Sequence, residues 1–275
     1  MRITTLIENS LNKVHDDLQA EHGVSFYIEH LGHVYMSDVG QSGKFAQNAA
    51  RLGIDLAPVE ALAISHHHYD HGGGLSHFFD ENNAGKVYLR AAPGDFNYIG
   101  ESPSQPTRYI GLDKGLLKAY EDRIVYFDSN CELLPGFHLL VDIPNRYPKP
   151  SGNQRLKMQQ GDFKVSDTFE HELVTVVEAQ DSLVLLTGCA HNGVLNMVAA
   201  VQEAFPQKPI AAVIGGFHLS HEEEHAILQV GNELLALNIP AVYSGHCTGE
   251  KAMTMLAEVL GEKFHPLYTG LVMEF

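Results

Sequence analysis

Leu62-Ala63-Ile64-Ser65-His66-His67-His68-Tyr69-Asp70-His71-Gly72-Gly73-Gly74 carries a short apolar run into a burst of imidazoles, one carboxylate and three glycines. Within it, His66-x-His68-x-Asp70-His71 places four side chains of the kinds that hold zinc, manganese or iron inside six residues. The chain has 17 histidines, so a lone pair at this spacing would mean little. Four ordered donors directly after a strand-like run mean more, and we read a metal site here rather than a histidine-rich surface turn. The glycines let the backbone turn sharply beneath a cation and approach the next helix closely.

The arrangement recurs downstream. Four apolar runs each stop in a small residue and then a histidine: 61–65 before His66, 183–188 before His191, 211–216 before His218 and 241–245 before His246. Sheets flanked by helices gather ligands outside the carboxyl ends of their strands. The expectation is therefore that His66, His68, His191 and His246 converge on one sheet edge. Residues 3–7, 24–28 and 33–37 read as further strands, with the polar, helix-compatible segment 9–22 between the first two. Ser42 is a reasonable N-cap for a helix over 43–52, and helix-like segments follow at 113–121, 194–205, 222–237 and 250–260. The second half alternates strand and helix, whereas the first is richer in consecutive strands. An α/β chain folded as an αββα sandwich, two mixed sheets flanked by helices, reconciles the halves in a single domain over 1–275.

Two stretches, 92–111 and 142–167, are rich in proline and glycine and read as long irregular loops, expected to act as lids. The second reverses the local charge: Arg146, Lys149, Arg155, Lys157 and Lys164 stand against Asp162 alone before Asp167. In a chain of formal charge −16, such a segment suits a phosphate or carboxylate, and Arg146, Lys149 and Arg155 are the candidate substrate contacts. The overall charge argues against nucleic acid as partner. No apolar run is long enough to span a membrane, no signal peptide is visible, and three scattered cysteines make no disulfide framework. A reducing cytoplasm fits this composition, with a small anionic molecule as substrate. Oligomeric state is not readable.

His66-x-His68-x-Asp70-His71 resembles the signature of the metallo-β-lactamase-fold superfamily. Ser37-Asp38-Val39-Gly40-Gln41-Ser42, Gly188-Cys189-Ala190-His191, Gly215-Gly216-Phe217-His218 and Gly245-His246-Cys247-Thr248-Gly249 resemble one branch of it, the dihydropterin ribofuranosyl-aminobenzene phosphate synthase-like proteins. The resemblance implies the metallo-β-lactamase fold and one or two divalent ions, Zn2+ first, with Mn2+ or Fe2+ as alternatives. His66, His68 and His191 would hold one ion, and Asp70, His71 and His246 the other. Asp70 would also orient the attacking water, and His218 would be a further ligand or a general acid–base. Asp38 would buttress the histidine loop from behind. Val39 departs from the Asp-Thr-Gly usual in the branch. Cys189 stands where many members place a bridging aspartate, so Cys189, His191 or neither bridges, and a one-metal centre remains open. Glu172 is a lesser candidate for metal or substrate contact, and Cys247 reads as structural.

The leading expectation is a metal-dependent hydrolase that directs an activated water at a phosphorylated or otherwise anionic small molecule, pterin- or nucleotide-like. The first alternative, carried by the branch resemblance, is a synthase joining a pterin alcohol or its diphosphate to an aromatic amine. An iron enzyme of sulfur or oxygen chemistry and a non-catalytic metal-binding module are the further alternatives.

Overall fold

The computed structural model describes residues 1–11, 17–91, 98–102 and 105–275. Among these, strands form two seven-stranded sheets and one of four. The first large sheet runs, in spatial order, Val272–Glu274, Arg2–Ile7, Ser25–His30, His33–Ser37, Ala61–Ala63, Lys86–Arg90 and Ile124–Phe127. The second runs Phe264–Pro266, Ala241–Gly245, Ile210–Gly216, Ser182–Leu186, Val174–Ala179, Phe137–Leu140 and Cys131–Leu134. Each is parallel at one end and antiparallel at the other. Both are therefore mixed sheets, as expected.

Strand periodicity explains the layering. Successive side chains point to opposite faces, and here both faces are apolar. Val184 and Leu186 join Phe26, Ile28, Tyr35 and Ala63 in the core between the two sheets. Their neighbours Leu183 and Leu185 turn the other way, onto Val194, Val198, Ile227 and Leu256. These last four lie on the outer helices Val194–Ala204, Glu224–Ala236 and Glu250–Leu260. Across the molecule, Met36, Leu62 and Val87 pack against Phe45, Phe78 and Leu117 of the helices Lys44–Arg51, Leu75–Glu81 and Lys114–Ala119. Helix, sheet, sheet, helix is the predicted αββα order. Burying one such Leu or Phe stabilises the chain by about 1.5–3 kcal/mol, so three stacked apolar layers fix the sheet edges that carry the site. Val39 is simply one more buried side chain of the outer core.

Three expectations need correction. The stretches 92–111 and 142–167 are not structureless lids. Their described parts supply Tyr98–Ser102, Gln105–Tyr109, Leu156–Gln160 and Phe163–Ser166, which pair antiparallel into the third sheet. Prolines suggested loops, but ladder hydrogen bonds between the two segments, distant in sequence, override that local signal; residues 92–97 and 103–104 lie outside the described residues. In the segment 9–22, the described residues 9–11 and 17–22 are not helical, and 12–16 lie outside the description. Gly43, not Ser42, occupies the N-cap of the helix Lys44–Arg51. The Ser42 hydroxyl instead donates to Glu21 Oε2 at 2.5 Å while accepting from the Lys44 N–H at 3.3 Å.

Candidate metal centre

Four strands end where the sequence pattern placed them. Ala61–Ala63, Ser182–Leu186, Ile210–Gly216 and Ala241–Gly245 deliver His66, His191, His218 and His246 to one edge of the sandwich. The rings of His66, His68 and His191 lie 4.6–5.1 Å apart, centre to centre. His71 Nε2 and His246 Nε2 are 3.2 Å apart, and Cys189 Sγ stands 3.2 Å from the first and 3.3 Å from the second. Asp70 Oδ2 completes this group, 3.5 Å from His246 Nε2 and 3.8 Å from His71 Nε2. Cys189 belongs equally to a second group with His66 and His191. The thiol therefore lies within reach of both donor sets.

The histidine loop is held from beneath. Asp38 Oδ1 accepts the Ser65 N–H, and Oδ2 accepts both the Ser65 hydroxyl and His71 Nδ1–H, each at 2.7 Å. Asp38 is thus the buttress the resemblance implied. Gly73 and Gly74 allow the loop to lie flat on residues 39–42, since a Cβ on either would come within 2.5 Å of the carbonyls of Gln41 and Val39.

Tautomers follow from these anchors. Asn9 Oδ1 accepts the Gly23 N–H and also faces His246 Nδ1 at 3.0 Å, so that nitrogen carries the proton. Asn153 donates its amide to the His191 carbonyl, which turns its oxygen to His191 Nδ1 at 2.9 Å. Asp38 fixes His71 in the same way. With Nδ1 anchored, Nε2 is the nitrogen left to face an ion, and the Nε2 atoms of His71, His191 and His246 turn inward. His66 Nε2 and His191 Nε2 are buried with no hydrogen-bond partner among the described residues. His68 Nε2 is likewise buried without a hydrogen-bond partner among the described residues and stands 3.8 Å from Asp167 Oδ2, which groups His68 with Asp167 and His171 rather than with the expected His66 and His191. Unpartnered buried acceptors are costly, and His246, which burial would lower but Cys247 and Asp70 raise to about 9, holds a proton beside His71 and Asp70 that a bound cation would displace. This donor set fits a divalent metal.

Charge points the same way. Burial and the neighbouring imidazoles hold His66 and His191 well below the usual histidine range, so both are neutral ligands at pH 7. Burial opposes ionisation of Asp70, yet His71, His22 and His246 hold its carboxyl well below the usual range.

The centre opens into a cleft of about 390 Å3, bounded by the third sheet on one side. Asp70, His68, Cys189, His191, His218 and His246 reach its floor. Of the three predicted substrate contacts only Arg155 lines it, with Nη1 3.2 Å from His221 Nε2. Arg146 instead pairs with Glu203 at 2.6 Å, and Lys149 donates to Asn192 Oδ1 at 2.6 Å; neither lines the cleft. Sequence charge located the basic segment but not the direction of its side chains. Glu172 is also corrected: its carboxylate accepts the backbone N–H groups of His191 and Asn192, at 2.7 Å each, and so shapes the loop that presents His191.

Several residues were missed. Arg108 lies on the cleft wall over the Tyr69 ring and donates to its hydroxyl at 3.2 Å. His22 contacts Asp70 Oδ2 at 3.1 Å. Asp167 is held ionised, against its burial, by His171 and His68. Only Asp167 had a legible signal, as the acid that ends the basic segment four residues before His171.

The family model described as Metallo-beta-lactamase superfamily matches residues 18–194. The chain belongs to that superfamily. It is 27% identical over 268 residues, 93% of this chain and 90% of the relative, to the 7,8-dihydropterin-6-methyl-4-(beta-D-ribofuranosyl)-aminobenzene-5'-phosphate synthase of Methanocaldococcus jannaschii. It is 29% identical to Tm1679, a metal-dependent hydrolase of the beta-lactamase superfamily, with a TM-score of 0.84 covering 100% of this chain and 99% of that one. Zn2+-bound PqqB from Methylobacterium extorquens shares the fold at 13% identity, with a TM-score of 0.56 and full coverage of both chains. Metal binding is a property of this superfamily, and the His, Asp and Cys groups above supply candidate ligands for it. No helix among the described residues is long and apolar enough to cross a membrane.

Proposed function

We propose that the chain is a metal-dependent hydrolase of small anionic molecules, phosphorylated ones first. The observation that carries this reading is the common orientation of His71, His191 and His246: each Nδ1 is anchored to an oxygen, and each Nε2 turns toward the cleft floor. Bound divalent ions, Zn2+ first, supply Lewis acidity and bring a water's proton loss near neutrality. The remaining work falls to the chain. Asp70, ionised and on the cleft floor, would help hold the ion and would accept a hydrogen bond from an incoming water. Arg108 and Arg155 stand on the walls, where a substrate anion meets two guanidinium groups.

A second reading has its own support. The Methanocaldococcus jannaschii relative is a synthase, and the match spans nearly the whole of both chains. In that reading the same arginines hold a pterin diphosphate and the incoming amine takes the place of water. Assay of bis-p-nitrophenyl phosphate with and without chelator tests the first reading, and a pterin alcohol diphosphate offered with an aromatic amine tests the second. Chelator-sensitive phosphoester turnover is expected. Its absence with every phosphoester tried, alongside coupled product from the second assay, would replace hydrolase by synthase.

A further inference from the structure

Beside the two donor sets lies a third that neither reading uses. Cys189 Sγ, Cys247 Sγ and a ring nitrogen of His218 all fall within 4.8 Å of one another. All three residues line the cleft. We propose that Cys189, Cys247 and His218 form a thiolate-rich cation position that takes a soft divalent ion and shares Cys189 with the histidine–aspartate centre.

Geometry supports the position independently of composition. Each donor sits on or next to a non-glycine residue in the left-handed region: Ala190 follows Cys189 with φ +57°, His218 itself has φ +53°, and His246 precedes Cys247 with φ +49°. Such conformations persist where the surroundings over-determine them, commonly at ligand sites. Three around one small volume is more than turn chemistry needs. The backbone N–H of His218 donates to Cys247 Sγ at 3.3 Å, and the Cys247 thiol donates to the Cys189 carbonyl at 3.6 Å, which together fix the sulfur beside the other two donors. His218 Nδ1 is buried with no hydrogen-bond partner among the described residues. Gly216 makes room for the sulfur, since a Cβ there would stand 2.6 Å from Cys247 Sγ.

The donor chemistry sets the ligand class. Two thiolates and an imidazole prefer zinc or cadmium over magnesium, calcium or manganese. Binding exchanges thiol protons for the ion and releases them to solvent. His218 is thereby assigned to cation binding and not to proton transfer. The inference rests on the metal-centre reading but not on whether the reaction is hydrolysis or synthesis.

Cadmium alone is a sufficient probe. Metal-free protein titrated with Cd2+ should develop the ultraviolet thiolate-to-cadmium band, with bound cadmium counted by mass spectrometry of the metal. Cys247→Ser should bind one fewer ion per chain and lose about half of the band, because one of two thiolates is gone. His218→Ala should also bind one fewer ion and lose a similar share of the band, because Cys247 is then left without its ion. In the wild-type chain, Cd2+ should protect Cys247 from iodoacetamide, read by peptide mass spectrometry, which covers the case of a variant that does not fold. An unchanged ion count and band in Cys247→Ser, or undiminished alkylation in the presence of Cd2+, would overturn the third position and leave the main centre standing. A wild-type chain that binds no cadmium would overturn both.

Discussion

Asp38 Oδ2 and His71 Nδ1 are 2.7 Å apart, both fully buried, and the same carboxylate holds the backbone and hydroxyl of Ser65. One acid thus orients an imidazole and pins the residue that leads into the histidine loop. It does so from a left-handed backbone, with φ +59°. Removing an outer partner of a ligating histidine typically lowers metal affinity about 10–100-fold. Asp38→Asn should do so for the ion held by His71 and His246, because the amide donates where the carboxylate accepts. Competition with a chromogenic chelator reads the change; affinity equal to wild type would mean that this contact serves folding alone.

Arg108 and Arg155 line the cleft, whereas Arg146 is turned away against Glu203. Hydrogen bonds to charged groups contribute about 1.5–3 kcal/mol when well protected from water. Both guanidiniums are exposed, so a smaller share applies. Arg108→Ala and Arg155→Ala should each raise KM for an anionic substrate about three- to tenfold, or roughly 0.7–1.4 kcal/mol. Arg146→Ala should leave KM unchanged. Steady-state kinetics on the three variants separates the cleft from the rest of the basic segment, and a KM effect confined to Arg146→Ala would reverse the placement.

How far this was legible in the sequence depends on the range of the interaction. The run before His66 and the later runs before His191, His218 and His246 are local patterns, and apolar periodicity carried them to the right sheet edge. Asp38 was legible through resemblance. The third sheet was not, because the ladder between Tyr98–Ser102 and Leu156–Gln160 joins segments more than fifty residues apart, and proline masks each alone. Side-chain direction was equally hidden. Arg146, Lys149 and Arg155 share one stretch, yet Glu203, Asn192 and the cleft claim one each. Asn153, which fixes the tautomer of His191, carries no signal in the chain at all.

Gly73 tests the packing under the loop. A methyl group there would lie 2.5 Å from the carbonyl oxygens of Gln41 and Tyr69, which are backbone and cannot rotate away. Overpacking of this kind costs about 1–3 kcal/mol. Gly73→Ala should therefore lower the melting temperature and, by lifting Asp70 and His71 from residues 39–42, weaken metal binding as well. Calorimetry with and without Zn2+ shows both effects; an unchanged melting temperature would mean that the loop has slack the distances deny.

Stability of the metal-free chain should depend on pH through the buried imidazoles. His66, His67 and His191 have folded pKa values well below the ordinary histidine value near 6.5, through burial and mutual repulsion. The unfolded chain then binds more protons than the folded one, so stability rises with pH up to about 6.5 and is lost below it. Glu8 and Glu172, raised by burial, work in the opposite sense from about 4.5 upward, and so does His246, which burial would lower but Cys247 and Asp70 raise to about 9. His30, His68 and His221, lowered by burial, join the other side, so three groups oppose six. Asp167, held low by His171 and His68, contributes stability that is lost only in stronger acid. Urea unfolding after chelation should therefore show a net loss of stability between pH 7.5 and 6. Zn2+ at a hundredfold excess over its Kd should restore about 2.7 kcal/mol at the upper pH. It should restore less at the lower one, where protons compete for the ligand nitrogens. A metal-free chain equally stable across that range would mean that His66, His67 and His191 are hydrated in solution, and the closed donor set described above would have to be abandoned.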